Sequence, residues 1–284
     1  MDDFCIFILT HGRANNVITY KTLIRGNFTG KIYIVIDDED DTASDYYKRF
    51  GDKVLMFSKE EIAKTFDEGD NFKDRRCIVY ARNACFDLAK KVGCKYFMQL
   101  DDDYVRFEFR SSESGKLLTA EVKNIEKVFS AMLTLYKSSK CLTMAMSQGG
   151  DYIGGVDNID MKKGYKRKAM NSLLCSTERP FKFFGRLNED VNFYTNRGRC
   201  GDLIFSIYGV MLQQKQTQSG AGGMTDIYMD NGTYVKSFYS VMYAPSCVKI
   251  GQMGNTSETM RIHHQVKWNN TVPKILTEAV KNGR

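Results

Sequence analysis

The sequence predicts an α/β fold: a three-layer sandwich on a mostly parallel central sheet, with an extension in the second half completing a single domain of residues 1–284. Three observations predict it. Apolar runs of strand length alternate with amphipathic stretches from residue 4 to residue 100, the pattern of strands joined by crossover helices. Two of those runs stop abruptly in aspartates, where open α/β sheets bind ligands. With 284 residues, three prolines and no repeat or low-complexity tract, the chain has the size and composition for a substantial core.

Taken in order, Phe4–Leu9 is apolar throughout, as suits a strand buried on both faces. Residues 14–24 have helical spacing, with Val17, Ile18 and Leu23 apolar. A second buried strand, 31–36, runs into the acidic stretch 37–41; a helix at 43–50 and a short strand at 53–57 follow. Ser58 with Glu61 three residues later has the spacing of a capping box. An amphipathic helix over 75–92 presents Ile78, Val79, Ala81, Cys85, Leu88 and Ala89, and Gly93 ends it. The strand 96–100 then carries the triplet Asp101-Asp102-Asp103. Beyond it the pattern predicts an antiparallel strand at 105–109, a long helix at 120–136 and a buried strand at 141–146. Residues 147–185 are polar, basic and aromatic, read as loops with short strands. They are followed by a helix at 186–195, a strand at 203–212 and a Gln/Gly/Ser loop at 213–224.

Composition narrows the class. Eight cysteines without a CxxC pair, mostly inside apolar segments, predict reduced buried thiols and argue against zinc. The first residues carry acids where a signal peptide carries bases, and the longest later apolar run cannot span a bilayer. Both predict a soluble, cytoplasmic chain without membrane contact. The net charge of +7 is uneven: acids gather at 37–45 and 67–70, bases at 162–168 and 179–199. Such a basic excess favours a polyanionic partner.

The chemistry centres on the triplet. Asp101 and Asp103 are two positions apart and project to one side of an extended chain. Hard carboxylate oxygens suit Mg²⁺ or Mn²⁺, which are held by one or two carboxylates plus substrate phosphates. An acidic solvent-facing loop is the alternative.

The ordered combination ILTHGR (8–13), IYIVIDDED (32–40), ARNACFDLAKKVGCKYFMQLDDDY (81–104), GRLNEDVNFY (185–194) and MRIHHQVKWNNTVPKIL (260–276) resembles GT-A type nucleotide-sugar glycosyltransferases. More narrowly, it is similar to the TET-associated glycosyltransferases of phages, and the resemblance spans most of the chain. It implies a GT-A fold, with 1–104 as the nucleotide-sugar half and 105–284 as the acceptor and catalytic half. It also implies that Asp101 and Asp103 anchor a divalent cation that neutralises the leaving diphosphate. Thr10, Arg13, Arg82 and Asp102 would line the nucleotide-sugar site, guanidinium groups giving fixed donors to phosphate or sugar oxygens. Asp37 and Asp38 either contact the nucleoside or form a solvated turn.

Glu189 and Asp190 form the second acidic centre. An inverting transfer needs a carboxylate to take the proton of the attacking hydroxyl, and Asp190 is the better candidate; the other reading is dipole stabilisation of a helix start. His263 and His264 are implied as additional metal ligands, with the choice between them open. Trp268 either stacks on a ring or packs in the core. Lys163, Lys166, Arg167, Lys168 and Arg186, interleaved with aromatics, would contact DNA phosphates around an extruded base.

These readings converge on a Mn²⁺- or Mg²⁺-dependent enzyme moving a sugar from a UDP-sugar to the hydroxymethyl group of a modified pyrimidine, 5-hydroxymethylcytosine or 5-hydroxymethyluracil, in phage DNA. A polysaccharide, lipid or protein acceptor is the enzyme alternative. A nucleotidyltransferase and a non-catalytic nucleic-acid-binding protein are the others.

Overall fold

A computed structural model of the chain describes residues 1–72, 74–113, 116–148, 151–152, 155–158, 168–214, 224–254, 260–273 and 278. Its first part is β1 (Phe4–Leu9), α1 (Ile18–Arg25), β2 (Lys31–Asp37), α2 (Ala43–Phe50), β3 (Val54–Phe57), α3 (Lys59–Ala63), α4 (Val79–Lys91) and β4 (Tyr96–Asp101). The second part continues with β5 (Tyr104–Glu113), β6 (Lys116–Glu121), α5 (Ile125–Ser138), β7 (Thr143–Gln148), β8 (Ser172–Ser176), α6 (Glu189–Arg199), β9 (Ile204–Gln214) and α7 (Met224–Tyr243). The ribbon β10 (Val248–Met253) and β11 (Arg261–Val266) follows.

Among the described residues, nine strands form one sheet in the order β3-β2-β1-β4-β8-β7-β9-β5-β6. The pairings β3–β2–β1–β4 and β7–β9 are parallel, and only β8 and β5 run against the common direction. The sheet is therefore mixed and mostly parallel, as expected. Helices cover both faces. Phe4, Ile6 and Ile8 of β1 pack with Leu23, Tyr46, Ile125 and Phe129 on one side. Cys5, Phe7 and Leu9 pack with Val79, Phe86, Val191 and Phe193 on the other. An apolar strand with alternate residues in two cores is the three-layer arrangement that the uninterrupted apolar run predicts.

Several boundaries differ from expectation. Residues 120–121 belong to β6, because Ala120 and Glu121 pair with Phe109 and Glu108 across a hairpin. The helix begins at Ile125, where the Asn124 side chain accepts from the Lys127 amide. Ser58 makes no side-chain capping bond, and the orphan Lys59 amide at the helix start donates to Asp38 Oδ1 (2.9 Å). α4 starts at Val79, since Asp74 is held by Arg76 just before it. β9 runs on to Gln214, within the expected loop, because Gln213 and Gln214 pair with Arg106 and Tyr104. α7 has no counterpart among the predicted elements. All eight cysteines are free thiols, and among the described residues no helix is long and apolar enough to cross a membrane.

Candidate functional site

β1 has β2 on one side and β4 on the other, so the chain reverses its direction of growth across the sheet beside β1. The carboxyl ends of β1 and β4 meet there, Leu9 opposite Asp101. This is the switch point at which open α/β sheets bind ligands.

Burial alternates along the triplet as the two-residue period requires. Asp101 and Asp103 are part-exposed, whereas Asp102 is buried. Asp102 accepts from Thr10 Oγ1 (2.6 Å) and pairs with Arg13 (3.3 Å), so both its oxygens tie β4 to the loop after β1. Thr10 also meets the Tyr46 hydroxyl (2.9 Å), which accepts from the Arg13 amide (2.7 Å). The expected nucleotide-sugar residues Thr10, Arg13 and Asp102 are thus one interlocked unit, with Asp102 facing the protein.

Asp37 is buried between His11 (2.8 Å) and the buried Lys59 ammonium (2.9 Å). Burial works against its ionisation, but the His11 and Lys59 contacts prevail and hold the carboxyl below its usual range. The hydrogen bond to Asp37 raises the His11 pKa in return. Asp38 is exposed and caps α3.

Arg82 lies across the site. It is 3% exposed, with Nε on Glu189 (3.0 Å) and Nη2 on Asp101 (3.4 Å), and its guanidinium lies over the Phe183 ring. Its position is fixed from two directions. Gln99 of β4 donates to the Arg82 carbonyl (3.0 Å), and Asn83 exchanges two hydrogen bonds with the Phe183 backbone (2.9 and 3.0 Å). Arg82 Nη1 is buried without a hydrogen-bond partner among the described residues. One cation therefore joins the acidic strand tip to the start of α6 and keeps a donor in reserve.

The carboxylates around it are crowded. Burial pushes the Asp101 carboxyl up to about 7; Arg82 opposes this, and Asp103 and Asp102 add to it. Burial also raises Glu189, against Arg82 and with Asp190. Asp190 is half-buried and accepts from the Val191 amide (2.7 Å).

The C-terminal segments complete this region. Burial lowers the pKa of Lys236 on α7, a residue that sequence reasoning missed; Asp190, Arg261 and Glu189 also act on it. β11 is extended, and the His263 and His264 ring centroids lie 4.1 Å apart. Both imidazoles are pushed down to about 4 by burial, with Lys236 and Lys168 adding to it. Trp268 stacks on Tyr194 (5.5 Å, 17°) against the core.

The expected metal set Asp101, Asp103, His263 and His264 is not gathered into one cage. Among the described residues no three His, Cys, Asp or Glu side chains converge as ligands. The all-oxygen strand tip with its destabilised Asp101 carboxylate does fit a hard divalent cation completed by substrate phosphates.

Of the expected DNA contacts, Lys163, Lys166 and Arg167 lie outside the described residues. Lys168 pairs with Asp151 (2.9 Å). Arg186 is 5% exposed and pairs with Asp70 (2.9 Å) and Asp74 (3.4 Å), so the structure places it inside rather than on a nucleic-acid face. The cause is local: the Gly185 and Arg186 amides donate to the Asp67 and Glu68 carbonyls, drawing the guanidinium onto the acids of that loop.

Comparison with known proteins follows the same lines. The family model described as TET-Associated Glycosyltransferase matches residues 4–223. Comparison with curated proteins gives no match. Among solved structures, glucosyl-3-phosphoglycerate synthase from Mycobacterium tuberculosis, in complex with Mn²⁺ and UDP-glucose, superposes with a TM-score of 0.50 at 8% identity. It covers 93% of this chain and 86% of its own. A mycobacterial protein superposes equally well, 0.50 at 8% identity, over 93% and 83%. At these identities the likeness is one of fold, and the fold is that of the GT-A glycosyltransferases.

Proposed function

Given that the chain belongs to the TET-Associated Glycosyltransferase family and is a glycosyltransferase, we propose that it moves a sugar from a UDP-sugar to the hydroxymethyl group of 5-hydroxymethylcytosine or 5-hydroxymethyluracil in DNA. In this reading residues 1–104 serve the donor and 105–284 the acceptor and the proton transfer. The family supports a modified base as acceptor, and the superposed synthase, solved with Mn²⁺ and UDP-glucose, supports the donor class.

The observation that carries the reading is Arg82. A buried guanidinium braced between Asp101 and Glu189, with Nη1 still available, is preorganised to meet a donor's oxygen where the two acidic centres adjoin. Asp101 and Asp103 would hold the divalent cation, Mn²⁺ or Mg²⁺, and the cation's chemistry is neutralisation of the leaving diphosphate. The acceptor hydroxyl oxygen bonds to the anomeric carbon while the sugar–phosphate bond breaks and UDP leaves with its electrons. Asp190 accepts the hydroxyl proton. Glu189, already paired with Arg82, holds that guanidinium in place.

The test is incubation with a panel of UDP-sugars, Mn²⁺, and DNA containing cytosine, 5-hydroxymethylcytosine or 5-hydroxymethyluracil, followed by nucleoside mass spectrometry. A hexose- or pentose-sized adduct confined to the hydroxymethylated base is expected. Turnover on a saccharide, lipid or protein acceptor with no adduct on DNA overturns the acceptor assignment.

A further inference from the structure

A chain of side-chain hydrogen bonds connects α6, α7 and β11, and its polarity determines a tautomer. Asn192 Nδ2 donates to the Phe184 and Leu187 carbonyls (3.1 and 3.0 Å), so its Oδ1 must be the acceptor. Ser240 Oγ gives its one proton to that Oδ1 (2.8 Å). Ser240 can then only accept from its other neighbour, which orients the Asn188 amide with Nδ2 toward it (2.8 Å). The remaining Asn188 Nδ2 hydrogen faces His264 Nδ1 (3.1 Å), so Nδ1 carries a lone pair and the proton of the neutral ring sits on Nε2. Asn188 holds this place in a left-handed conformation (φ 58°), which Asn tolerates better than most residues.

Neither nitrogen of His264 can then ligate a metal with the relay intact. Nδ1 is occupied, and freeing Nε2 would move the proton to Nδ1, donor against donor. The surroundings point the same way: among the described residues Lys236 and Lys168 act on His264, Lys168 while paired with Asp151 (2.9 Å) and Lys236 while facing Asp190 and Glu189, and two cations beside the ring suit an anion. Asn188 directly precedes Glu189 and Asp190, so the ring is anchored to the start of the acidic helix.

We propose that His264 is a substrate-contacting hydrogen-bond donor rather than a metal ligand, its Nε2–H held by the Asn192–Ser240–Asn188 relay toward a phosphoryl oxygen. The proposal deepens the assigned function and rests on it for the phosphoryl source, which is either the donor's diphosphate or the DNA backbone.

Long-range ¹H–¹⁵N spectra of histidine-labelled full-length protein at pH 7 test the tautomer without turnover. Neutral Nε2–H is expected at His264, and an Nδ1–H form or an imidazolium overturns the proposal. Asn188→Asp retains the left-handed preference but presents an acceptor, and is expected to move the proton to Nδ1. An unchanged tautomer in that variant refutes the relay. Two titration arms, UDP alone and unmodified duplex DNA alone, identify the source. A shift of His264 Nε2 is expected in one of them, and no shift in either sinks the phosphoryl contact. His264→Phe should then weaken binding of the shifting ligand about tenfold, and His264→Gln, which keeps a donor, about threefold or less; equal losses overturn the donor role. If the spectra agree but no hydroxymethylated DNA is modified, the acceptor assignment fails while the relay stands.

Discussion

At the scale of single residues, the acidic triplet divides its labour by alternation. Asp103→Ala removes a carboxylate from the site side, and transfer is expected to fall below detection with the melting temperature within a degree or two of wild type. Asp102→Ala strips the partners of Thr10 and Arg13 and should cost about 2 kcal/mol of stability, the range for hydrogen bonds to a buried charge. Thermal melts and turnover on the two variants separate the roles. His11 adds a pH dependence of definite sign. Its pKa is raised in the folded state, so its contribution is complete below about 6.5 and disappears as pH rises through the folded value. Asp37, whose pKa is lowered, contributes above about 3.9 and loses its contribution as pH falls through the folded value. The melting-temperature advantage of wild type over His11→Asn should therefore be largest near pH 5–6 and shrink toward pH 8. A constant difference would refute the pairing. Serine or asparagine patterns do not announce a relay such as Asn192–Ser240–Asn188, because each member is a common residue whose partner is remote in sequence.

At the scale of elements, the helices that bear the site are set by their ends. α5 starts where Asn124 accepts from Lys127, and Asn124→Ala should cost about 1 kcal/mol in a denaturation experiment without affecting transfer. α6 is more sensitive. Gly185 precedes it at φ 76°, and an added Cβ would sit 2.4 Å from Asn192 Nδ2 and 2.7 Å from the Tyr243 ring. Gly185→Ala is expected to cost about 1–2 kcal/mol in backbone strain alone. Because it presses on the first member of the relay, it should also reduce kcat, whereas Asn124→Ala should not. Steady-state kinetics on the two variants make the comparison. The capping of α3 by Asp38 shows why helix starts escape a linear reading: a carboxylate from another strand end takes the first orphan amide, Lys59, while Ser58 makes no capping bond.

For the whole molecule, the net charge of +7 and the proposed DNA acceptor make salt the diagnostic variable. Each phosphate neutralised contributes a slope of about −0.9 in log affinity against log salt, so two contacts imply about a tenfold loss between 50 and 200 mM. Binding to modified duplex DNA, measured by fluorescence anisotropy, should show at least that loss; a salt-independent affinity would speak against a phosphate-tracking surface. The sequence by itself determined the layered α/β architecture, the strand tip at Asp101–Asp103 and the acidic start of α6. Each is written in local periodicity or in a run of adjacent residues, and burial on both faces leaves an unbroken apolar signature. Tertiary structure alone decided the rest. It turned Asp102 inward onto Thr10 and Arg13, drew Arg186 into the acids of residues 67–74, and set Arg82 between Asp101 and Glu189, 107 residues away in sequence. It also brought α7 with Lys236, and the histidines of β11, to the start of α6. Charge pairing and hydrogen-bond polarity depend on which groups share a desolvated space, and that is fixed only when remote segments pack.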